Sequence, residues 1–233
     1  MDGKFSIYSV RGPLTARALN IPPRKSIGDS AYLCLATDHF KKLFALQKKY
    51  KVSVIPHHQT ATTIDWTIIE KVAGLHFIDP RKEFFNVFQD IAQSECVLTE
   101  SLHGAILADA LRTVWQTFRM GHRFNIFKWR DWLESIHIEL PAIQRYPILC
   151  SDQLSLPRRA KHLIERACGT TLGYDRLKQK PIRTNSAHEL EEFANQLKKQ
   201  ARTKPCYLSK DVTLQNILNG LTGCVEGIRA HYG

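Results

Sequence analysis

No apolar run in the 233-residue sequence approaches the roughly 18 residues that a bilayer-spanning helix needs. A helical membrane protein is thereby excluded. The opening residues Met1-Asp2-Gly3-Lys4-Phe5 offer neither the apolar core nor the small-residue cleavage site of a signal peptide. The expected location is therefore the cytoplasm. Cysteine is scarce: the six residues at 34, 96, 150, 168, 206 and 224 contain no Cys-x-x-Cys pair. That rules out a disulfide scaffold and leaves zinc and redox motifs unsupported, so all six read as packing residues. Internal repeats, low-complexity tracts and a glycine-rich dinucleotide fingerprint are also missing.

What is present describes an ordinary globular chain, 43% apolar and 24% charged, long enough for one large domain or two small ones. Its net charge of +11 is unevenly spread. Residues 1–110 carry 13 basic against 11 acidic side chains, and residues 111–233 carry 20 against 11. The second half therefore suits an anionic partner, although Arg158-Arg159-Ala160-Lys161 and Lys198-Lys199 also read as solvated helix faces. No DNA- or RNA-binding motif accompanies the charge, so no nucleic-acid partner is expected.

Between residues 50 and 120 short β-branched runs alternate with helical periodicity, which predicts βαβ units and a parallel α/β sheet. Strands are expected at 52–55, 75–78, 96–99 and 114–118. Helices are expected at 65–72, capped by Thr63 or Asp65 and ended by Gly74, and at 84–93, 102–111 and 124–136. In such sheets ligands bind beyond the carboxyl ends of the strands, near helix N-termini. Pro56-His57-His58 and Glu100-Ser101-Leu102-His103-Gly104 stand at two such ends. Beyond residue 150 charged helices are expected at 157–167 and 188–201, with a mobile loop at 178–181. Ahead of the sheet, residues 9–15 read as a strand entering a helix at 15–19, and Gly28-Asp29-Ser30-Ala31 as an Asx-type turn or helix cap.

Five segments in this order resemble the polysaccharide pyruvyltransferase family: Ser9 to Thr15 (with Val10-Arg11-Gly12), Gly28-Asp29-Ser30-Ala31, Pro56-His57-His58, Glu100 to Ala105, and Phe127-Lys128-Trp129-Arg130-Asp131-Trp132-Leu133. The resemblance spans roughly residues 6 to 138. It implies a Rossmann-like parallel sheet like the C-terminal half of a GT-B-type fold, most of the family's N-terminal domain being absent. On that basis residues 1–35 are a remnant of that domain or a linker, 36–150 the Rossmann-like donor-binding domain, and 151–233 a basic helical C-terminal extension.

The implied reaction transfers the pyruvyl skeleton of phosphoenolpyruvate to two hydroxyls of a sugar in an exopolysaccharide or its precursor, making a cyclic ketal. Phosphoenolpyruvate enters as donor substrate, with no cofactor and no obligatory metal. The acceptor is a glycan or lipid-linked oligosaccharide, which the basic second half would meet at the inner face of the cytoplasmic membrane. By resemblance, Arg11 matches a donor-binding arginine, since a guanidinium pairs bidentately with carboxylate or phosphate. His103 matches the acid or phosphate ligand. Ser101 stands two residues before it, where related enzymes often carry arginine, so one anion contact would fall to Lys128, Arg119 or Arg123.

For the remaining candidates two readings stay open. Glu100 is a base towards a sugar hydroxyl or an acid at a helix N-terminus. His57 and His58 line the donor site or cap their strand. Gly28 and Asp29 bind substrate or form the turn, Ser101 and Leu102 flank the donor, and Gly104 allows its close approach. Lys128 would bind an anion, while Trp129 and Trp132 face the core. A GT-B-type glycosyltransferase and a truncated, non-catalytic anion- or partner-binding module are the rival functions.

Overall fold

A computed structural model describes residues 6–120, 124–147 and 185–232. Five strands, β1 (Tyr50–Ile55), β2 (His76–Phe77), β3 (Ser94–Thr99), β4 (Val114–Met120) and β5 (Gln144–Tyr146), make one wholly parallel sheet in the order β2-β1-β3-β4-β5. The central strands are apolar without alternation, as Val54-Ile55 and Cys96-Val97-Leu98 show, because both faces are covered. The chain steps outward from β1 to β2, then returns across β1 to β3 and continues to β4 and β5. Between β1 and β3 the winding direction reverses, and their carboxyl ends open a crevice.

Eight α-helices are described: α1 (Pro13–Ala18), α2 (Asp38–Lys41), α3 (Trp66–Ala73), α4 (Phe84–Ala92), α5 (Leu102–Ala110), α6 (Ile126–Ser135), α7 (Ala187–Thr203) and α8 (Asp211–Tyr232). Their ends follow local chemistry. Asp65 caps α3 by accepting from the Thr67 amide at 3.0 Å, and Gly74 ends it in the left-handed region at φ +66°. Ser186 and Glu189 form a capping box at the start of α7.

One sheet face carries Val97 and Trp115 beneath α4, α5 and α6, where Trp115 meets Trp129 and Trp132. On the opposite face Val54, Leu98 and Phe118 pack against Ile69 of α3 and against Leu190, Phe193 and Leu197 of α7. Helix α7 thus supplies much of the second layer. Helix α8 runs along the segment ahead of the sheet, with Ile217 and Leu221 in the first core and Gly220 pressed on Ile27. The segment between the two helices is held at Tyr207, which exchanges backbone hydrogen bonds with Trp115 at 3.0 and 2.8 Å. Asp109, fully buried, accepts from Tyr32 Oη (2.9 Å) and from the Ser209 amide and hydroxyl (2.7 Å each).

The expected βα alternation from 50 to 120, and the helix expected at 124–136, are found to within a few residues. Ahead of it, Val10 makes one isolated bridge with Ser26 instead of a strand. Helix α1 begins at Pro13, whose fixed φ suits a first helical position, and residues 30–36 form a 3-10 helix. The expected helix at 157–167 and loop at 178–181 lie outside the described residues, as do Cys150 and Cys168. Packing describes Cys96, which is buried, but not Cys206, which is exposed with its Sγ 3.7 Å from that of Cys96. Among the described residues no helix is long and apolar enough to cross a membrane.

Candidate active site

The crevice between β1 and β3 is built on a buried carboxylate. Beyond Thr99, the Glu100 amide donates to Ile55 O at 3.0 Å, continuing the β1–β3 pairing. The Glu100 side chain spans the sheet edge: Oε2 accepts from the His57 amide (3.1 Å), beyond β1, and Oε1 from the Met120 amide (2.8 Å), at the end of β4. Burial raises its pKa above the ordinary 4.5, opposed by hydrogen bonds from Thr60, Met120 and His57. Both oxygens serve the scaffold, so Glu100 ties three strand ends together.

Helix α5 leaves β3 through a tight turn. The Thr99 hydroxyl accepts from the Ser101 amide and donates to the Ser101 carbonyl, both at 3.0 Å, while Ser101 Oγ accepts from the Gly104 amide at 3.3 Å. A Cβ on Gly104 would lie 2.4 Å from Thr99 Oγ1. Glycine is therefore required here by the turn beneath the helix. Leu102 packs against the core, and His103 stands out of the first helical turn with 62% of its side chain exposed.

Asp29 joins this turn to the segment ahead of the sheet. Only 6% exposed, it caps the 3-10 helix by accepting from the Ala31 amide at 2.9 Å and holds Arg11 Nε at 2.6 Å. His103 Nε2 lies 4.0 Å from the other Asp29 oxygen. Three segments far apart in sequence therefore bring Arg11, Asp29 and His103 together. The Arg11 side chain is 25% exposed, and its terminal amino groups have no hydrogen-bond partner among the described residues.

Arg11 is aimed by groups that the motifs alone did not single out. Buried Asp131 on α6 accepts from the Thr15 amide (2.9 Å) and hydroxyl (2.5 Å). Gly12 lies so close to α6 that a Cβ would fall 1.9 Å from the Asp131 carbonyl oxygen. Asp131 lay within the recognised 127–133 segment, so its motif signal existed, but its pairing with Thr15 spans more than a hundred residues. Gly28 serves packing: at φ +152°, a Cβ there would stand 2.6 Å from Ile217 of α8.

The His57 and His58 rings are 4.1 Å apart at the end of β1, the first half-buried and the second exposed. Lys128 is exposed on the first turn of α6, where its amide donates to the capping Asn125 at 3.1 Å. Among the described residues no three His, Cys, Asp or Glu side chains stand where they could hold a metal ion. The arrangement offers a guanidinium, an imidazole and the N-terminus of α5 on one crevice, a combination suited to a small anion bearing phosphate or carboxylate.

Residues 1–115 match the family model described as "Polysaccharide pyruvyl transferase". Over 135 residues the chain is 41% identical to the "Succinoglycan biosynthesis protein ExoV" of Rhizobium meliloti (strain 1021). The aligned part is 58% of this chain and 42% of that relative. The chain thus spans less than half the length of the curated relative it matches. No solved structure matches.

Proposed function

We propose that the chain, whose residues 1–115 match the family model described as "Polysaccharide pyruvyl transferase", transfers pyruvyl groups from phosphoenolpyruvate to a sugar of a bacterial exopolysaccharide or its precursor. The observation that carries this reading is the convergence of Arg11, Asp29 and His103 at the crevice where the sheet changes winding direction.

Arg11 presents its terminal amino groups to the donor's carboxylate or phosphate, while Asp29 occupies Nε and fixes the plane of the fork. His103, as imidazolium, delivers a proton to the methylene carbon, and the enol double bond supplies the electron pair. The first sugar hydroxyl then adds to the oxocarbenium carbon and loses its proton. Phosphate departs with the electrons of its C–O bond, stabilised by Arg11 and the N-terminus of α5. The second hydroxyl closes the ketal and releases the remaining proton. Glu100 acts as a positioning residue, holding the strand ends from which the two loops arise.

The test supplies phosphoenolpyruvate labelled with 13C at its methylene carbon, together with exopolysaccharide oligosaccharides stripped of their ketals by mild acid. Label should enter the glycan as a ketal methyl, with one inorganic phosphate released per ketal, and His103→Ala should abolish both. Equal transfer by His103→Ala would overturn the role given to that residue. Transfer of a hexose from a nucleotide sugar in place of pyruvate would favour the glycosyltransferase reading.

A further inference from the structure

Away from the switch point, the carboxyl ends of β4 and β5 carry an arginine pair: Arg119, one of the residues to which the sequence lets an anion contact fall, and Arg145, which has no role so far. Arg119 and Arg145 are register partners on these parallel strands, so their side chains leave the same face. That face is the α5 and α6 face. Thr99 points to α5, as its closeness to Gly104 shows; Thr117 is in register with Thr99, and Arg119 follows Thr117 by two residues. Arg119 thus stands two residues past the Thr99–Thr117 register pair, on the sheet face that α5 covers.

The pair is unbalanced. Arg119 Nε is buried without a hydrogen-bond partner, and neither arginine forms an ion pair with a carboxylate among the described residues. Glu100 bonds the neighbouring Met120 amide and is committed there and to His57. On α6, Asp131 is held by Thr15, and Glu134 pairs with Arg17 at 2.9 Å. Like charges side by side on adjacent strands destabilise a sheet, and a buried guanidinium donor without an acceptor adds to the cost. A multiply charged oxyanion with several acceptor oxygens, as a phosphate group has, relieves both when bound between them.

We propose that Arg119 and Arg145 form an anion site for a phosphate-class group, next to the Arg11–His103 crevice and distinct from it. The phosphate of the donor and the diphosphate of a lipid-linked acceptor present this same chemistry. The site rests on the proposed function only for the identity of its natural ligand.

The experiment is calorimetric titration of the full chain with inorganic pyrophosphate, geranyl diphosphate and phosphoenolpyruvate, with pyruvate as the carboxylate control. The Arg119→Gln and Arg145→Gln variants follow, each checked for fold by circular dichroism. Arg145 is exposed, so its variant keeps the test decisive if Arg119→Gln fails to fold. Each substitution should weaken the phosphate-class ligand by about tenfold or more. In phosphate-free buffer Arg145→Gln should raise the thermal midpoint, and pyrophosphate should stabilise wild type more than the variant. If both diphosphates weaken while phosphoenolpyruvate does not, the acceptor is the source; if phosphoenolpyruvate weakens as well, the site also serves the donor. Phosphate-class affinity unchanged in both variants would overturn the site while leaving the proposed function standing. Arginine-dependent pyrophosphate binding without phosphoenolpyruvate binding would keep the site and remove the proposed function.

Discussion

Gly104→Ala sets two opposing effects against each other. Alanine in a helix is worth about 1 kcal/mol over glycine. Against this, the new Cβ would lie 2.4 Å from Thr99 Oγ1, with Thr99 Cβ at 3.3 Å and Ile55 Cγ2 at 3.4 Å. The hydroxyl is not free to turn away, because it bonds both the amide and the carbonyl of Ser101. Forcing it aside forfeits those bonds, at roughly 1 kcal/mol each, and overpacking of this kind costs about 1–3 kcal/mol. The clash therefore wins, by roughly 1–3 kcal/mol, a fall in thermal midpoint of about 2–4 °C for each kcal/mol at this chain length. Thr99→Ala alone should cost about 1–2 kcal/mol through its lost hydrogen bonds. Adding Gly104→Ala to Thr99→Ala should then be neutral or stabilising, because the obstructing oxygen is gone. Urea and thermal melts of the four proteins should show a favourable coupling of about 1.5–3 kcal/mol. Additive effects, or a Gly104→Ala protein as stable as wild type, would refute the account of this turn.

Three further expectations concern the scaffold around the site. Because burial raises the Glu100 pKa, the folded state holds that proton more tightly than the unfolded chain. The resulting stability is fully present below about 4.5 and is lost as pH rises through the folded value. The thermal midpoint of wild type minus that of Glu100→Gln should accordingly shrink from pH 4 to pH 7, and growth over that range would contradict the placement. Asp109→Asn replaces one acceptor oxygen with an amide donor that faces the donors of Ser209 or Tyr32. It should cost about 2–4 kcal/mol in urea unfolding and speed exchange of the Ser209 amide hydrogen; unchanged exchange would separate that amide from Asp109. Gly28→Ala meets both an unfavourable φ and Ile217, so a loss of about 1–3 kcal/mol is expected in thermal melts, and a neutral effect would remove α8 from this position.

The sheet was legible where one strand or helix carries its own pattern. Val52 to Ile55, Phe84 to Ala92 and Cys96 to Thr99 show their state in composition and period, and Asp65, Gly74 and Ser101 mark ends by local chemistry. Helix α8 was not expected from the sequence, and Gly220, Gly223 and Gly227 each weaken its helical signal. In the fold Gly220 and Gly227, seven residues apart and so on one face, lie against Ile27 and Tyr8, and their small size serves that approach. Strand β5 has three residues and is fixed by its neighbour β4. Within the site, Arg11 and His103 were visible as motif residues. Their meeting through Asp29, the Asp131 anchor beneath Arg11 and the use of both Glu100 oxygens by backbone amides depend on contacts between distant segments, which spacing alone does not encode.

The central claim is that Arg11 and His103 form a site for phosphoenolpyruvate, and calorimetric titration of the purified chain tests it most directly, with pyruvate and a nucleotide sugar as controls. Saturable binding of phosphoenolpyruvate, weak or absent binding of both controls, and loss of the heat in Arg11→Ala and His103→Ala is the predicted result. Binding of phosphoenolpyruvate undiminished in both variants, or binding of the nucleotide sugar alone, would contradict it.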